Sequence, residues 1–251
     1  MKRLLLTLVT LASTFTVSAS HLIGGDLSYQ YVSTTGATST YKVLLTLYND
    51  PTGASMPTTN TVTVTGGGAT FSVQVSLVKP GYSVANVGGG LCSNGAALVQ
   101  VHEYAGTATF NSSANYTFSW SVCCRPNGAS TLVNSASQQI YLEAKLNLAS
   151  GLRPHNNAVK WAPMGTLSGA VHQLHQQNLA TQEIDGDSTA LVLRPALSAA
   201  GTSVVYATGY SATNPFDCSP SHPLTLDPTT GVLTFKPSTT IQSTIAFRAD
   251  D

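Results

Sequence analysis

Short runs with a period of two, broken again and again by turn residues, constrain this chain more than any other feature. Leu27-Ser-Tyr29-Gln-Tyr31 alternates, and so do Tyr41–Tyr48, Thr61–Thr65 and Thr70–Leu77. Alternation at that period puts one face of an extended strand on a core and the other toward water. Further candidates are Ala97–Glu103, Ala105–Phe110, Tyr116–Cys124 and Gln139–Leu146. Between them, Asn49-Asp-Pro-Thr-Gly53, Gly66-Gly67-Gly68, Lys79-Pro-Gly81, Gly88-Gly-Gly90 and Pro126-Asn-Gly128 read as turns. Eight strands within about 125 residues predict an antiparallel sandwich.

A second unit follows a stretch rich in Gly, Pro and Asn at 147–170. Its predicted strands are Ala158–Trp161, Val171–Leu179, Thr189–Leu193, Ser203–Gly209, Leu224–Leu226, Val232–Phe235 and Thr244–Ala249. Seven short strands over about ninety-five residues suit an immunoglobulin- or cadherin-like sandwich. The expected fold is therefore all-β, with two tandem antiparallel β-sandwiches over 20–150 and 155–251. No convincing amphipathic helix and no clear internal repeat stands out.

The first nineteen residues read as a secretory signal peptide and not as fold. Lys2 and Arg3 precede an apolar stretch from Leu4 to Val17, and Val17-Ser18-Ala19 offers small residues for cleavage. No later run reaches the eighteen or so apolar residues that a transmembrane helix needs. Export places the mature chain outside the cell or on its outer surface. Without Lys2 and Arg3 the balance moves from 11 basic and 11 acidic residues to 9 against 11. A near-neutral chain with 9% charged residues has no footprint for nucleic acid. The four cysteines, Cys92, Cys123, Cys124 and Cys218, enter an oxidising compartment, where an even count favours disulfides. Neighbours on a strand face opposite sides, so Cys123 and Cys124 are expected to take separate partners from Cys92 and Cys218. Each such bridge would close a long loop and contribute about 3–4 kcal/mol.

Glu183, Asp185 and Asp187 place carboxylates at alternate positions around Gly186, a spacing that can collect oxygen ligands for Ca²⁺. The other reading is a solvated acidic turn. Asp250 and Asp251 would add ligands if the C-terminal edge lay near. Trp120 alternates with Tyr116 and Phe118, so the three share one strand face. Buried, they form a core strand; exposed, they would stack on sugar rings. The six histidines form no zinc-hydrolase motif, although His21 would stand beside a mature N-terminus able to chelate Cu²⁺ or Ni²⁺. No nucleophile elbow appears, and neither Glu103 nor Glu143 has an evident carboxylate partner for glycoside hydrolysis. An enzyme is not expected.

Several segments together resemble a family of secreted surface proteins of Bacteroidetes. They are Ser20-His-Leu-Ile-Gly-Gly-Asp-Leu-Ser-Tyr29, Tyr41-Lys-Val-Leu-Leu-Thr-Leu-Tyr-Asn-Asp50 and Tyr116-Thr-Phe-Ser-Trp-Ser-Val-Cys-Cys-Arg125. Asp185-Gly-Asp-Ser188, Pro195-Ala-Leu197 and the hairpin Leu224–Pro237 extend the likeness over nearly the whole mature chain. Longer members of that family carry gliding-motility-associated or type IX secretion sorting domains. The resemblance implies a non-catalytic module for adhesion or cell-envelope architecture, with a surface protein or glycan as partner. Its alternative is a carbohydrate-binding protein for polysaccharide capture. Glu183 stands where the family usually has Asp. With Arg248-Ala-Asp-Asp251 ending on a strand, the chain reads as a short member or an N-terminal fragment.

Overall fold

The computed structural model describes residues 22–85, 98–149, 155–163, 167–179 and 181–250. The leader at 1–19, His21, Cys92, the glycine run at 88–90 and Asp251 lie outside them. Among the described residues the chain is all-β with antiparallel pairing, as the alternation predicts, and its one helical turn is a 3-10 turn at Ser135–Ser137.

Seven long strands come first: β1 (Leu22–Thr35), β2 (Thr38–Asn49), β3 (Thr59–Gly66), β4 (Ala69–Ala85), β5 (Leu98–Asn111), β6 (Asn115–Val122) and β7 (Ile140–Asn147). Nine short ones follow: β8 (Lys160–Trp161), β9 (His175–Asn178), β10 (Thr181–Gln182), β11 (Ala190–Arg194), β12 (Leu197–Ala199), β13 (Thr202–Ser203), β14 (Thr225–Leu226), β15 (Val232–Phe235) and β16 (Ala246–Asp250). The main sheet has nine strands in the order β1-β2-β5-β4-β3-β6-β7-β12-β13. Smaller sheets pair β8 with β10, β11 with β16, and β14-β15-β9.

The inward residues of the first seven strands make the larger core. Tyr29, Tyr41, Val43, Leu45, Val62, Val64, Val75, Tyr104 and Phe118 are all buried there. The sheet curls over this core: Tyr29 on β1 stacks on Phe118 of β6 at 5.4 Å, and its hydroxyl donates to Lys145 O on β7 at 2.9 Å. A second core gathers Leu179, Leu191, Phe216, Leu224, Leu233 and Phe235. A small third one, Leu132 with Ala196 and Val204, lies where the residues flanking β12 and β13 meet the segment after β6.

Local chemistry explains the turns. Gly66 pairs with Ala69, leaving Gly67 and Gly68 as a two-residue loop with φ of 58° and 80°. Positive φ at both central positions is what a right-twisted hairpin asks for and what glycine supplies most readily. In the hairpin between β14 and β15, the Asp227 carboxylate accepts the N–H groups of Thr229 and Thr230 at 2.9 and 2.8 Å. These donors hold its carboxyl below the usual carboxylate range.

Three expectations are corrected. Ala97–Glu103 and Ala105–Phe110 do not form two strands: β5 runs through Gly106 without a break. A side chain there would meet Gln74 O of β4 at 2.3 Å, so the glycine permits a close backbone approach within a strand. Lys79-Pro-Gly81 is not a turn either. It forms an irregularity inside β4, whose register to β5 shifts between Leu77 and Lys79 and again between Lys79 and Tyr82. Most of the predicted strand Val171–Leu179 is irregular, because His172 takes a φ of 65° and extended structure begins at His175.

Candidate functional site

The acidic turn lies between β10 and β11. Carboxylate oxygens of Glu183, Asp185 and Asp187 come within 4.8 Å of one another. This is the only group of three or more His, Cys, Asp or Glu side chains within metal-binding reach among the described residues. The oxygens of Glu183 and Asp185 already face protein donors. Glu183 Oε1 accepts the Asp185 N–H at 2.9 Å, and Oε2 accepts those of Asp187 at 2.8 Å and of Gly186. Slight burial opposes ionisation of Glu183, but the backbone donors prevail and hold its carboxyl below the usual range. Asp185 is taken up by a distant segment: Asn157 donates its backbone N–H and its side-chain amide, each at 2.6 Å. Gly186 supplies the positive φ of 82° that lets three successive N–H groups converge. The donor set thus fits an acid-capped turn that ties residue 157 to residues 183–187. Asp250 lies elsewhere, paired with Arg248.

The aromatic platform is not available to a ligand. Trp120, Tyr116 and Phe118 do share one face of β6, but that face points inward and Trp120 is only 7% exposed. Its indole N–H donates to Asn60 Oδ1 at 3.2 Å, satisfying the one polar atom the ring brings into the core. The rings build the sandwich and cannot stack on sugar from outside.

The cysteine framework is also corrected. Cys123 and Cys124 are bridged to each other, and Cys218 is free. The expectation of separate partners assumed that both sat on a strand. β6 ends at Val122, so the pair lies in a bend where alternation no longer holds the side chains on opposite sides. Burial pushes the Cys218 thiol up, making it a poorer nucleophile than an exposed cysteine. The histidines scatter: His102 contacts Asn49 Oδ1 in the core at 3.1 Å, His175 stacks on Phe235, and His155 lies against Tyr31.

A cleft of about 770 Å³ opens between β1 and β7 on one side and β12 and β16 on the other. Asp26, Arg125, Glu143, Trp161 and Arg194 are among its walls. Burial pushes the Asp26 carboxyl up to about 7, against the opposing hydrogen bond from the Tyr48 hydroxyl at 3.2 Å.

Protein-family models, curated proteins and solved structures all return no match to this chain.

Sequence reasoning missed this cleft and both groups that distinguish it. Asp26 stands in the segment Ser20–Tyr29 and Arg125 in the Cys-Cys-Arg segment, but each looks there like an ordinary polar residue of a strand or its end. Only the joining of β12 to the β7 edge, through Leu197 opposite Tyr141, gives them a common wall.

Proposed function

We propose that this chain is an exported, non-catalytic surface or secreted module that serves adhesion or cell-envelope architecture. The observation that carries this reading is the outer face of the β3–β4 hairpin. Its cross-strand pairs Thr59–Ser76, Thr61–Gln74, Thr63–Ser72 and Thr65–Thr70 form a ladder of hydroxyl and amide groups without a charge. Thr61, Thr65, Ser72, Gln74 and Ser76 are exposed. An exposed, uncharged, hydrogen-bonding face suits repeated weak contact with a polar neighbour such as a glycan coat or another surface protein. The resemblance to secreted Bacteroidetes surface proteins points the same way. So does the bridged cysteine pair, which belongs to an oxidising compartment.

The test is attachment. Cells lacking the gene should adhere or spread less, and the triple variant Thr61→Lys/Thr65→Lys/Gln74→Lys should fail to restore attachment although it melts like the native protein. Undiminished attachment of the deletion strain would end the proposal. Carbohydrate capture is the second reading. The observation in its favour is the cleft, whose volume lies in the range of small-ligand sites.

A further inference from the structure

We propose that the cleft between β1 and the C-terminal segment binds the carboxylate of an acidic sugar, gripped by Arg125 and met at the wall by Arg194. This deepens the second reading and rests on it. Arg125 is 8% exposed. Its Nη2 donates to Leu197 O at 3.0 Å, while its buried Nε has no acceptor. Ion pairs among the described residues join Lys79 to Glu103, Lys145 to Glu143 and Arg248 to Asp250, and Arg125 takes part in none of them. A guanidinium removed from water without a counter-charge is costly, and arginine stays protonated across the physiological range. Burial accordingly pulls its pKa down, opposed only by the Tyr206 phenol.

The other charges lining the cleft do not cancel it. Lys145 and Glu143 neutralise each other, as do Arg248 and Asp250. Asp26, on the β1 wall, is the one acid left over, and it is hydrogen-bonded by Tyr48. Arg125 and Arg194 therefore leave the cleft with an excess of positive charge. A planar carboxylate matches the guanidinium fork and would supply the counter-charge that Arg125 lacks. Ser203, Thr244 and the half-buried Trp161 line the same space, offering hydroxyl groups and a ring to a sugar.

Calorimetric titration of the secreted chain with D-glucuronate, D-glucose, sodium sulfate and N-acetyl-dialanine tests this. Glucuronate should bind at least tenfold more tightly than each of the other three. Arg125→Gln should lose at least tenfold in affinity. Arg194→Gln, at an exposed position, should melt like the native chain and lose three- to tenfold in affinity; it decides the matter if Arg125→Gln does not fold. Glucose binding as well as glucuronate would leave carbohydrate capture standing and overturn this inference; no binding of either sugar would end both. Sulfate matching glucuronate would reveal an adventitious ion site, and the dipeptide matching it would reveal a peptide-terminus site; either overturns the assignment. So would unchanged glucuronate affinity in Arg194→Gln together with any Arg125→Gln that folds.

Discussion

Asp26 stores a pH dependence in a single side chain. Its folded pKa, near 7, lies above the ordinary aspartate value of 3.8, so the native state keeps the proton that the unfolded chain has released. Between those values stability falls as pH rises, and above about 7 the loss is complete. Replacing Asp26 by Asn should leave stability near pH 4 unchanged and raise it at pH 8 by about 1–3 kcal/mol, less than the full shift because water reaches the half-buried carboxyl. Denaturant melts of both proteins across that window check it, and parallel curves would refute it. The acidic turn behaves differently, since the oxygens of Glu183 and Asp185 are already engaged. Asp185→Ala orphans two donors on buried Asn157 and should cost about 1–3 kcal/mol by thermal melting. The native turn should melt within about one degree with millimolar Ca²⁺ or with EDTA. A rise of several degrees with Ca²⁺ that vanishes in Asp185→Asn/Asp187→Asn would show that a cation shares these oxygens. The sequence shows the three acids gathered around Gly186. It cannot show Asn157 arriving from twenty-eight residues away to occupy one of them.

At the scale of single strands, alternation reads well wherever one face is buried. The inward positions of β2, β3 and β6 are the buried ones that the pattern predicts. It fails where glycine or proline has a purpose other than turning the chain. Gly106 and the Lys79-Pro80-Gly81 segment both look like punctuation, yet they lie inside strands because β4 and β5 approach closely and slip in register there. Gly106→Val should therefore destabilise more than an ordinary strand substitution, by about 2–3 kcal/mol, since its side chain would press on Gln74 O. Trp120→Ala should cost about 3–5 kcal/mol through the cavity it leaves, and more if Asn60 loses its donor without finding water. For a chain of this size each kcal/mol corresponds to about 2–4 °C in Tm, so calorimetry resolves both changes. A Trp120→Ala protein that melted like the native one would contradict its place in the core.

Over the whole molecule, antiparallel β-architecture is legible in the sequence and long-range partnership is not. Strand order depends on which edges meet, and nothing local in β12 announces that it extends the sheet of β7. The cysteines carry the same lesson. A bridge between neighbours closes almost no loop, so it removes little entropy from the unfolded chain. Reduction should lower Tm by no more than a few degrees, where two bridges spanning long loops would have lowered it far more. Non-reducing peptide mapping should recover Cys123 and Cys124 bridged within one peptide. The order β1-β2-β5-β4-β3-β6-β7 also bears on how the molecule comes into being. β2 cannot gain its second neighbour until residues near 100 are available, nor β3 until those near 116. With so many pairings distant in sequence, the chain belongs among slow folders, at milliseconds to seconds. A polypeptide threading outward across a membrane would thus remain open until most of its length had emerged, and the topology itself would delay closure until the far side.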